Sequence, residues 1–151
     1  MLELVSHSED ETKKIAKNLA KYLETGDIIV LSGDLGSGKT KFTEGVLDFF
    51  GLADEISSPT FTIVNEHHAN NTNIYHFDVY RLADIDEFYA IGGEEYFSNG
   101  ISVIEWGEII EPALPQNYLK IVFNRKPEND SVRTLCLEPH GKHFEDILER
   151  I

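Results

Sequence analysis

The stretch GDLGSGKT, residues 33–40, matches the pattern G-x-x-x-x-G-K-[ST] from its first glycine to its last threonine. In this pattern, glycines let backbone N–H groups converge on phosphate oxygens, and a helix that follows the loop adds its positive dipole end. The lysine can reach the β- and γ-phosphates, and the threonine hydroxyl can bind Mg²⁺. The predicted nucleotide-binding residues are Gly33, Gly36, Ser37, Gly38, Lys39, Thr40 and Lys41.

The residues on either side of this loop predict a P-loop NTPase-like α/β fold. DIIVLSG (27–33) is a continuous apolar run, which is typical of a central parallel strand covered on both faces. After the loop, Phe42, Val46 and Phe49 recur at helical spacing, and the helix should end near Gly51. GISVIEW (100–106) predicts a second buried strand.

The rest of the chain predicts antiparallel hairpins around these parallel strands. The first hairpin joins 60–67 to 73–82, and the second joins 118–124 to 132–139. Further predicted elements are a strand over 2–5, a helix after the capping box at 8–11, a short acidic helix over 83–92 and an amphipathic helix that ends at 151. We therefore expect a mixed sheet flanked by helices, in a single P-loop ATPase domain over 1–151.

Composition limits the partners that this chain can have. It has 151 residues, with 27 acidic and 13 basic side chains, for a formal net charge of −14. Such a chain is a poor nucleic-acid binder by itself, because phosphates repel its mean field, but it suits docking onto a basic partner. Cys136 is the lone cysteine, so no internal disulfide forms. Since neither a signal peptide nor a membrane-length apolar run is present, we expect a cytoplasmic protein without a membrane span.

A phosphate loop needs carboxylates nearby, because Mg²⁺ is usually held by one or two of them together with phosphate oxygens. Glu105 stands at the carboxyl end of the strand ISVIE, the edge where α/β sheets bind ligands. We interpret it as a metal ligand and a catalytic group. Asp78 shares one strand face with His76 and Tyr80, and it is the second catalytic candidate, as a water-positioning or metal-water ligand.

Five residues are weaker candidates. Tyr80 can serve packing alone, and Arg81 points to the other face of the same predicted strand. Glu108 is a candidate second carboxylate because it lies near Glu105, but a solvated loop charge is the favoured interpretation. Arg133 could contact a base or a phosphate, but a surface arginine on a strand is the favoured interpretation. Trp106 could lie in the core or beside the site.

Four motifs together, GDLGSGKT, SSPTFTIVNE, YHFDVYRL and VIEWGE, resemble those of the TsaE (YjeE) family of small bacterial P-loop ATPases. The likeness covers nearly the whole chain. It implies that Lys39 and Thr40 act on phosphate and metal, that Asp78 is the functional aspartate and that Glu105 and Trp106 form the "EW" signature. The resemblance also implies a switch-like segment over the γ-phosphate, made of Ser58, Pro59, Thr60 and Phe61. Ser37, Lys41 and Gly107 depart from residues that are common in the family.

The same resemblance implies a function in forming threonylcarbamoyladenosine next to the anticodon of tRNA. Family members act with a TsaB–TsaD heterodimer, which handles the tRNA, so the acidic chain reaches tRNA only through that complex. ATP and Mg²⁺ are the expected cofactors, and the expected activity is an ATP hydrolysis that is weak alone and stimulated by partners.

Three alternatives use the same loop. A small-molecule or nucleoside kinase would transfer the γ-phosphate to a hydroxyl, but such kinases usually carry an arginine-rich lid, and no arginine cluster is visible. A GTPase switch would need an N-K-x-D segment to read guanine, and none is found. A nucleotide-binding module without hydrolysis would act by interaction alone.

Overall fold

The computed structural model describes residues 1–34, 37–55, 63–79 and 82–151. The strands are β1 (Leu2–Ser6), β2 (Ile28–Gly33), β3 (Val64–His68), β4 (Asn73–Asp78), β5 (Ile101–Glu105), β6 (Tyr118–Lys126) and β7 (Asn129–His140). The α-helices are α1 (Glu9–Ala20), α2 (Lys39–Phe49), α3 (Ile85–Ala90), α4 (Gly93–Tyr96) and α5 (Lys142–Arg150). Short 3₁₀ helices span Ala53–Glu55 and Gly107–Ala113. Among the described residues, no helix combines the length and the apolar character needed to cross a bilayer.

All seven strands join one mixed sheet in the order β1-β7-β6-β2-β5-β4-β3. The central strand β2 pairs in parallel with both β5 and β6, and β4 also runs parallel to β5. The pairs β1–β7, β6–β7 and β3–β4 are antiparallel. The predicted α/β class, the central parallel strand and both hairpins are confirmed. Because β2, β4 and β5 run in the same direction, their carboxyl ends meet at one edge of the sheet.

Alternate residues of β2 enter two separate apolar cores, one on each face of the sheet. Ile29 and Leu31 pack in the core that includes Phe42 of α2 and residues of α1. Ile28 and Val30 pack in the other core, with residues of α3 and of the second 3₁₀ helix. The continuous apolar run of β2 is therefore explained by burial on both sides.

Helix α2 is held against α1 by a close approach of the two backbones at Gly45. A Cβ atom added at Gly45 would lie 2.6 Å from the carbonyl oxygen of Lys13 and 2.7 Å from the Cβ of Ala16. Neither neighbour is the far end of a flexible side chain, so one helix must move to accept a side chain here. Gly45 thereby sets the distance of α2 from the rest of the core.

We expect the substitution Gly45→Ala to lower the free energy of unfolding by about 1–3 kcal/mol, because overpacking forces a backbone shift. Chemical denaturation measures this change. The comparison variant is Asn18→Ala at an exposed position of α1, which shortens a side chain in solvent and adds no atom between the two helices. Equal stability of Gly45→Ala and the wild type would contradict the close approach.

Several predicted boundaries are corrected. The strand predicted over 73–82 ends at Asp78, because its neighbour β5 ends at Glu105 and offers no further ladder. The second hairpin is longer than predicted, since β6 and β7 continue past a register shift at Arg125 and pair as far as Lys126. The acidic segment 83–92 forms only α3, and the sequence did not predict α4 or the two 3₁₀ helices.

Candidate nucleotide-binding site

The loop predicted to bind phosphate connects the end of β2 to the start of α2, at the carboxyl edge of the parallel strands. The cap residue Gly38 is left-handed at φ 114°, and no side chain caps the first turn of α2. The N–H groups of that turn are therefore without a side-chain partner, which is the arrangement that binds anions at a helix N-terminus.

Gly33 keeps this loop close to the neighbouring strand. Its φ is +143°, and an added Cβ would lie 2.7 Å from the carbonyl oxygen of Phe123 and 2.9 Å from the Ser37 Oγ. Ser37 is buried, and its hydroxyl oxygen has no hydrogen-bond partner within the described residues. A glycine cradle with an unpartnered buried hydroxyl and uncapped helix amides fits a phosphate-bearing ligand.

Lys39 brings a buried ammonium group to the same place. The side chain is only 5% exposed, and its Nζ donates a hydrogen bond of 2.5 Å to the carbonyl oxygen of Gly33. The same Nζ lies 3.5 Å from the centre of a Trp106 ring, which is a cation–π contact. Both contacts hold the ammonium at the end of β2.

Burial lowers the pKa of Lys39 from its ordinary value, and four nearby carboxylates oppose that effect. The largest opposing contribution comes from Glu105, followed by Glu108, Asp78 and Asp34. The ammonium thus lies among acidic groups, as expected for a cation that must stay charged while partly removed from water.

The two predicted catalytic carboxylates lie side by side at the ends of neighbouring strands. Asp78 and Glu105 are paired in the parallel ladder of β4 and β5. Asp78 shares its strand face with Ile74, and Glu105 shares its strand face with Val103. Because Ile74 and Val103 pack in the core under α1 and α2, both carboxylates lie on the sheet face that α2 covers. Glu105 is 7% exposed, whereas Asp78 is half-buried.

The two residues after Lys39 differ in their surroundings. The side chain of Thr40 is exposed in the first turn of α2, where its hydroxyl is open to a ligand. The ammonium of Lys41 lies 3.3 Å from a carboxylate oxygen of Glu44 and 3.8 Å from one of Glu9. Lys41 therefore ties α2 to α1 through its side chain, while its backbone lies in the first turn of α2.

Trp106 begins a sharp turn after β5. It is the one non-glycine residue with positive φ in the described part of the chain, at φ 65°. Its N–H donates to the carbonyl oxygen of Leu31 at 3.2 Å, which fixes the turn to the central strand. In the 3₁₀ helix that follows, Glu108 accepts a hydrogen bond from the Ser32 hydroxyl, so this carboxylate faces the end of β2.

The other predicted site residues lie at the margin or outside the described residues. Arg133 of β7 pairs in register with Arg125 and Ser6, on the loop side of the sheet but two strands away from β2. Its guanidinium donates to the carbonyl oxygen of Val132 at 3.2 Å. The predicted residues outside the described ranges are Gly36, Ser58, Pro59, Thr60, Phe61, Tyr80 and Arg81.

Sequence reasoning placed two residues on the right elements without assigning them to the site. Asp34 contributes to the charge around Lys39, although the motif pattern leaves its position free. His76 contacts Glu105 directly, with 2.5 Å between its Nε2 and the Oε2 of the carboxylate. The signal for His76 was its shared strand face with Asp78, but only the register of β4 and β5 reveals the partner.

Comparison with known proteins gives consistent results. The family model described as "Threonylcarbamoyl adenosine biosynthesis protein TsaE" matches residues 6–135. The tRNA threonylcarbamoyladenosine biosynthesis protein TsaE of Bacillus subtilis is 40% identical over 143 residues, which cover 94% of this chain and 88% of that protein. The protein of the same name from Haemophilus influenzae is 42% identical over 134 residues, covering 87% of this chain and 85% of the relative.

A solved structure agrees with these relatives. The crystal structure of Bacillus subtilis YdiB superposes with a TM-score of 0.79 at 35% sequence identity. The superposition covers 99% of this chain and 92% of that one. The likeness therefore extends over the whole sheet and not only over the phosphate loop.

Proposed function

The chain belongs to the TsaE family, and from this we propose that it serves in threonylcarbamoyladenosine synthesis on tRNA by binding and hydrolysing ATP. One observation carries the proposal. The buried ammonium of Lys39 lies at the uncapped start of α2, with the carboxylates of Asp78 and Glu105 on the adjoining strand ends. A site that hydrolyses phosphate bonds needs a cation that binds the phosphate and nearby carboxylates that bind water or a metal ion.

The nucleotide's phosphates bind at residues 33–40 in this proposal. The backbone amides of the first turn of α2 and the Lys39 ammonium hold the β- and γ-phosphates. In the described structure Lys39 donates to its own loop at Gly33, so it exchanges that carbonyl for a phosphate oxygen when the nucleotide enters.

Thr40 and Glu105 are the residues that would hold Mg²⁺, because an exposed hydroxyl and a carboxylate are the oxygen donors that this ion prefers. When bound, Mg²⁺ neutralises charge on the phosphate oxygens. Asp78, paired with Glu105 in the ladder, orients the attacking water or a water on the metal. Where Glu105 contacts the attacking water instead of the ion, it accepts that water's proton as the water oxygen bonds to the γ-phosphorus, and the bond from phosphorus to the β–γ bridging oxygen breaks with ADP as the leaving group.

The TsaB–TsaD heterodimer is the proposed partner, and tRNA is reached through it. A net charge of −14 disfavours direct binding to tRNA but favours a basic protein surface. The four arginines, Arg81, Arg125, Arg133 and Arg150, form no cluster in the sequence, which leaves room for a charge supplied by the partner. Such a charge delivered in trans is a known way to accelerate phosphoryl transfer.

The test is ATP hydrolysis by the chain alone, with the TsaB–TsaD pair, and with the pair plus tRNA. We expect slow phosphate release by the chain alone and a clear increase when the pair is added. The increase should shrink as ionic strength rises, because association between oppositely charged surfaces is screened by salt. Competition of GTP against ATP in the same assay reports the nucleotide preference.

Two results would contradict the proposal. Full turnover by the isolated chain without any response to the pair would reject partner coupling. Transfer of the γ-phosphate to a small metabolite would indicate a kinase instead of an ATPase. A control with bovine serum albumin, an acidic protein, in place of the pair separates specific stimulation from a general protein effect.

A further inference from the structure

His76 makes a buried contact with Glu105, one of the two carboxylates proposed to act in ATP hydrolysis. His76 is 2% exposed and Glu105 is 7% exposed, and 2.5 Å separate the imidazole Nε2 from the carboxylate Oε2. Both side chains lie on the sheet face that α2 covers, since His76 shares its face of β4 with Ile74 and Asp78. The imidazole therefore approaches the carboxylate from the adjoining strand, inside the protein.

The hydrogen-bond partners of the two ring nitrogens indicate which nitrogen carries the proton. Glu105 is an acceptor as a carboxylate, so the proton of this contact sits on Nε2. The other ring nitrogen, Nδ1, is buried and has no partner within the described residues. A proton on Nδ1 would be an unsatisfied buried donor, which is costly, whereas a lone pair there costs less. The geometry thus favours the neutral tautomer with its hydrogen on Nε2.

The hydrogen bond from His76 involves the Oε2 of Glu105 and leaves its Oε1 without this partner. In the described part of the chain no hydrogen bond reaches the Oε1 of Glu105. A glutamate side chain has three rotatable torsions, and without a partner it would sample several rotamers. The contact with His76 selects one of them.

We infer that His76 is a positioning residue, which holds the Oε2 of Glu105 so that Oε1 is the oxygen available to water or metal at the phosphate loop. The inference rests on the proposed ATP hydrolysis. Partners that orient a reacting or metal-binding group act in this way, and their loss typically costs about 10- to 100-fold in activity or metal affinity. If the contact were purely structural, it would stabilise the sheet without affecting hydrolysis. Kinetic measurements on His76 variants distinguish this structural role from the positioning role.

The experiment compares two substitutions at His76 with a matched control. His76→Leu fills the space without a donor, whereas His76→Gln keeps an N–H that can reach the carboxylate. The control is His67→Leu, because His67 is also buried at 5% exposure and its register partner Ile74 places it on the same face of the sheet, away from the loop. Circular dichroism and thermal melting confirm that each variant is folded.

We expect His76→Leu to lower kcat for ATP hydrolysis in the presence of the TsaB–TsaD pair by about 10-fold or more. The affinity for a non-hydrolysable ATP analogue, measured by calorimetry without Mg²⁺, should stay within about twofold, because the hydrogen bond of the His76 ring goes to Glu105 and to no described residue of the phosphate loop. His76→Gln should recover most of the rate, and His67→Leu should keep it. In the background of Glu105→Gln, adding His76→Leu should cost less than about twofold, since coupled residues are not additive.

A second readout does not depend on activity. Nitrogen-15 histidine spectra of the ligand-free chain distinguish the tautomers, and the His76→Leu spectrum assigns the resonance of this ring among the six histidines. A neutral Nε2–H form supports the inference, and a neutral Nδ1–H form overturns it.

The kinetic outcomes separate the inference from the proposed function. If the wild type hydrolyses ATP and His76→Leu does so at the same rate, or if the two losses add in the double variant, the inference fails and the proposed function stands. If the wild type hydrolyses no ATP with the pair and tRNA present, the proposed function fails and the inference fails with it.

Discussion

Replacing Lys39 with methionine is expected to lower kcat/KM for ATP by about 10²- to 10³-fold, the scale of a lost electrostatic contact to charge that develops in a transition state. Lys39 is 5% exposed and carries its ammonium at the start of α2, where the phosphates are proposed to bind. Methionine keeps an unbranched chain that can pack against Trp106, and it removes the charge together with the hydrogen bond to the Gly33 carbonyl oxygen. Nucleotide affinity should fall as well, because the ammonium contacts phosphate before and during the reaction.

The matched control for this experiment is Lys17→Met. Lys17 of α1 forms an ion pair with Asp48 of α2, with 2.5 Å between its Nζ and the carboxylate Oδ2, and its side chain is 44% exposed. Exposed pairs of this kind contribute about 1 kcal/mol or less, so activity and fold should be retained. Unchanged affinity and turnover in Lys39→Met would remove the loop from the proposed site.

Glu105→Gln is expected to reduce ATP hydrolysis by about 10²-fold or more while nucleotide binding is largely kept. Glutamine has the shape of glutamate, and its amide oxygen can still accept the hydrogen bond from His76. It cannot accept the proton of water, and it is a weaker ligand for a cation. Binding of the nucleotide should survive, because a carboxylate repels phosphate in the absence of a bridging metal.

Parallel measurement of hydrolysis and of nucleotide affinity checks this second expectation. Asp78→Asn should change the rate in the same direction, since Asp78 is the ladder neighbour of Glu105. Glu111→Gln serves as the control, because Glu111 is an exposed carboxylate on the 3₁₀ helix that follows β5. A normal rate in Glu105→Gln would show that this carboxylate is not the catalytic group.

The local sequence predicts best the elements whose formation depends on residues that are close together in the chain. Ser8 begins α1 by accepting a hydrogen bond from the Glu11 N–H at 3.1 Å, as the capping box predicts. The apolar run of β2 required burial on both faces, and two cores are found there. The family motifs predicted that Lys39, Glu105 and Trp106 lie near one another at the site. Hydrophobic periodicity alone could not predict this.

The contacts that sequence could not predict depend on register and on turns between strands. The pairing of His76 with Glu105 needs the parallel alignment of β4 and β5, which are 29 positions apart at this contact. The hydrogen bond from Ser32 to Glu108 spans 76 positions and requires the turn at Trp106. A left-handed tryptophan breaks the ordinary preference for glycine or asparagine at positive φ, so composition gives no signal for it.

The contact between Lys39 and Trp106 also gives this chain an internal optical reporter. Trp106 is the only tryptophan in the sequence, so all indole emission comes from a ring whose centre lies 3.5 Å from the Lys39 Nζ. A phosphate that draws the ammonium away changes the electric field at that one fluorophore. Filling and emptying of the loop can therefore be timed in a stopped-flow fluorimeter with native protein and unlabelled nucleotide, and the Lys39→Met protein supplies the baseline.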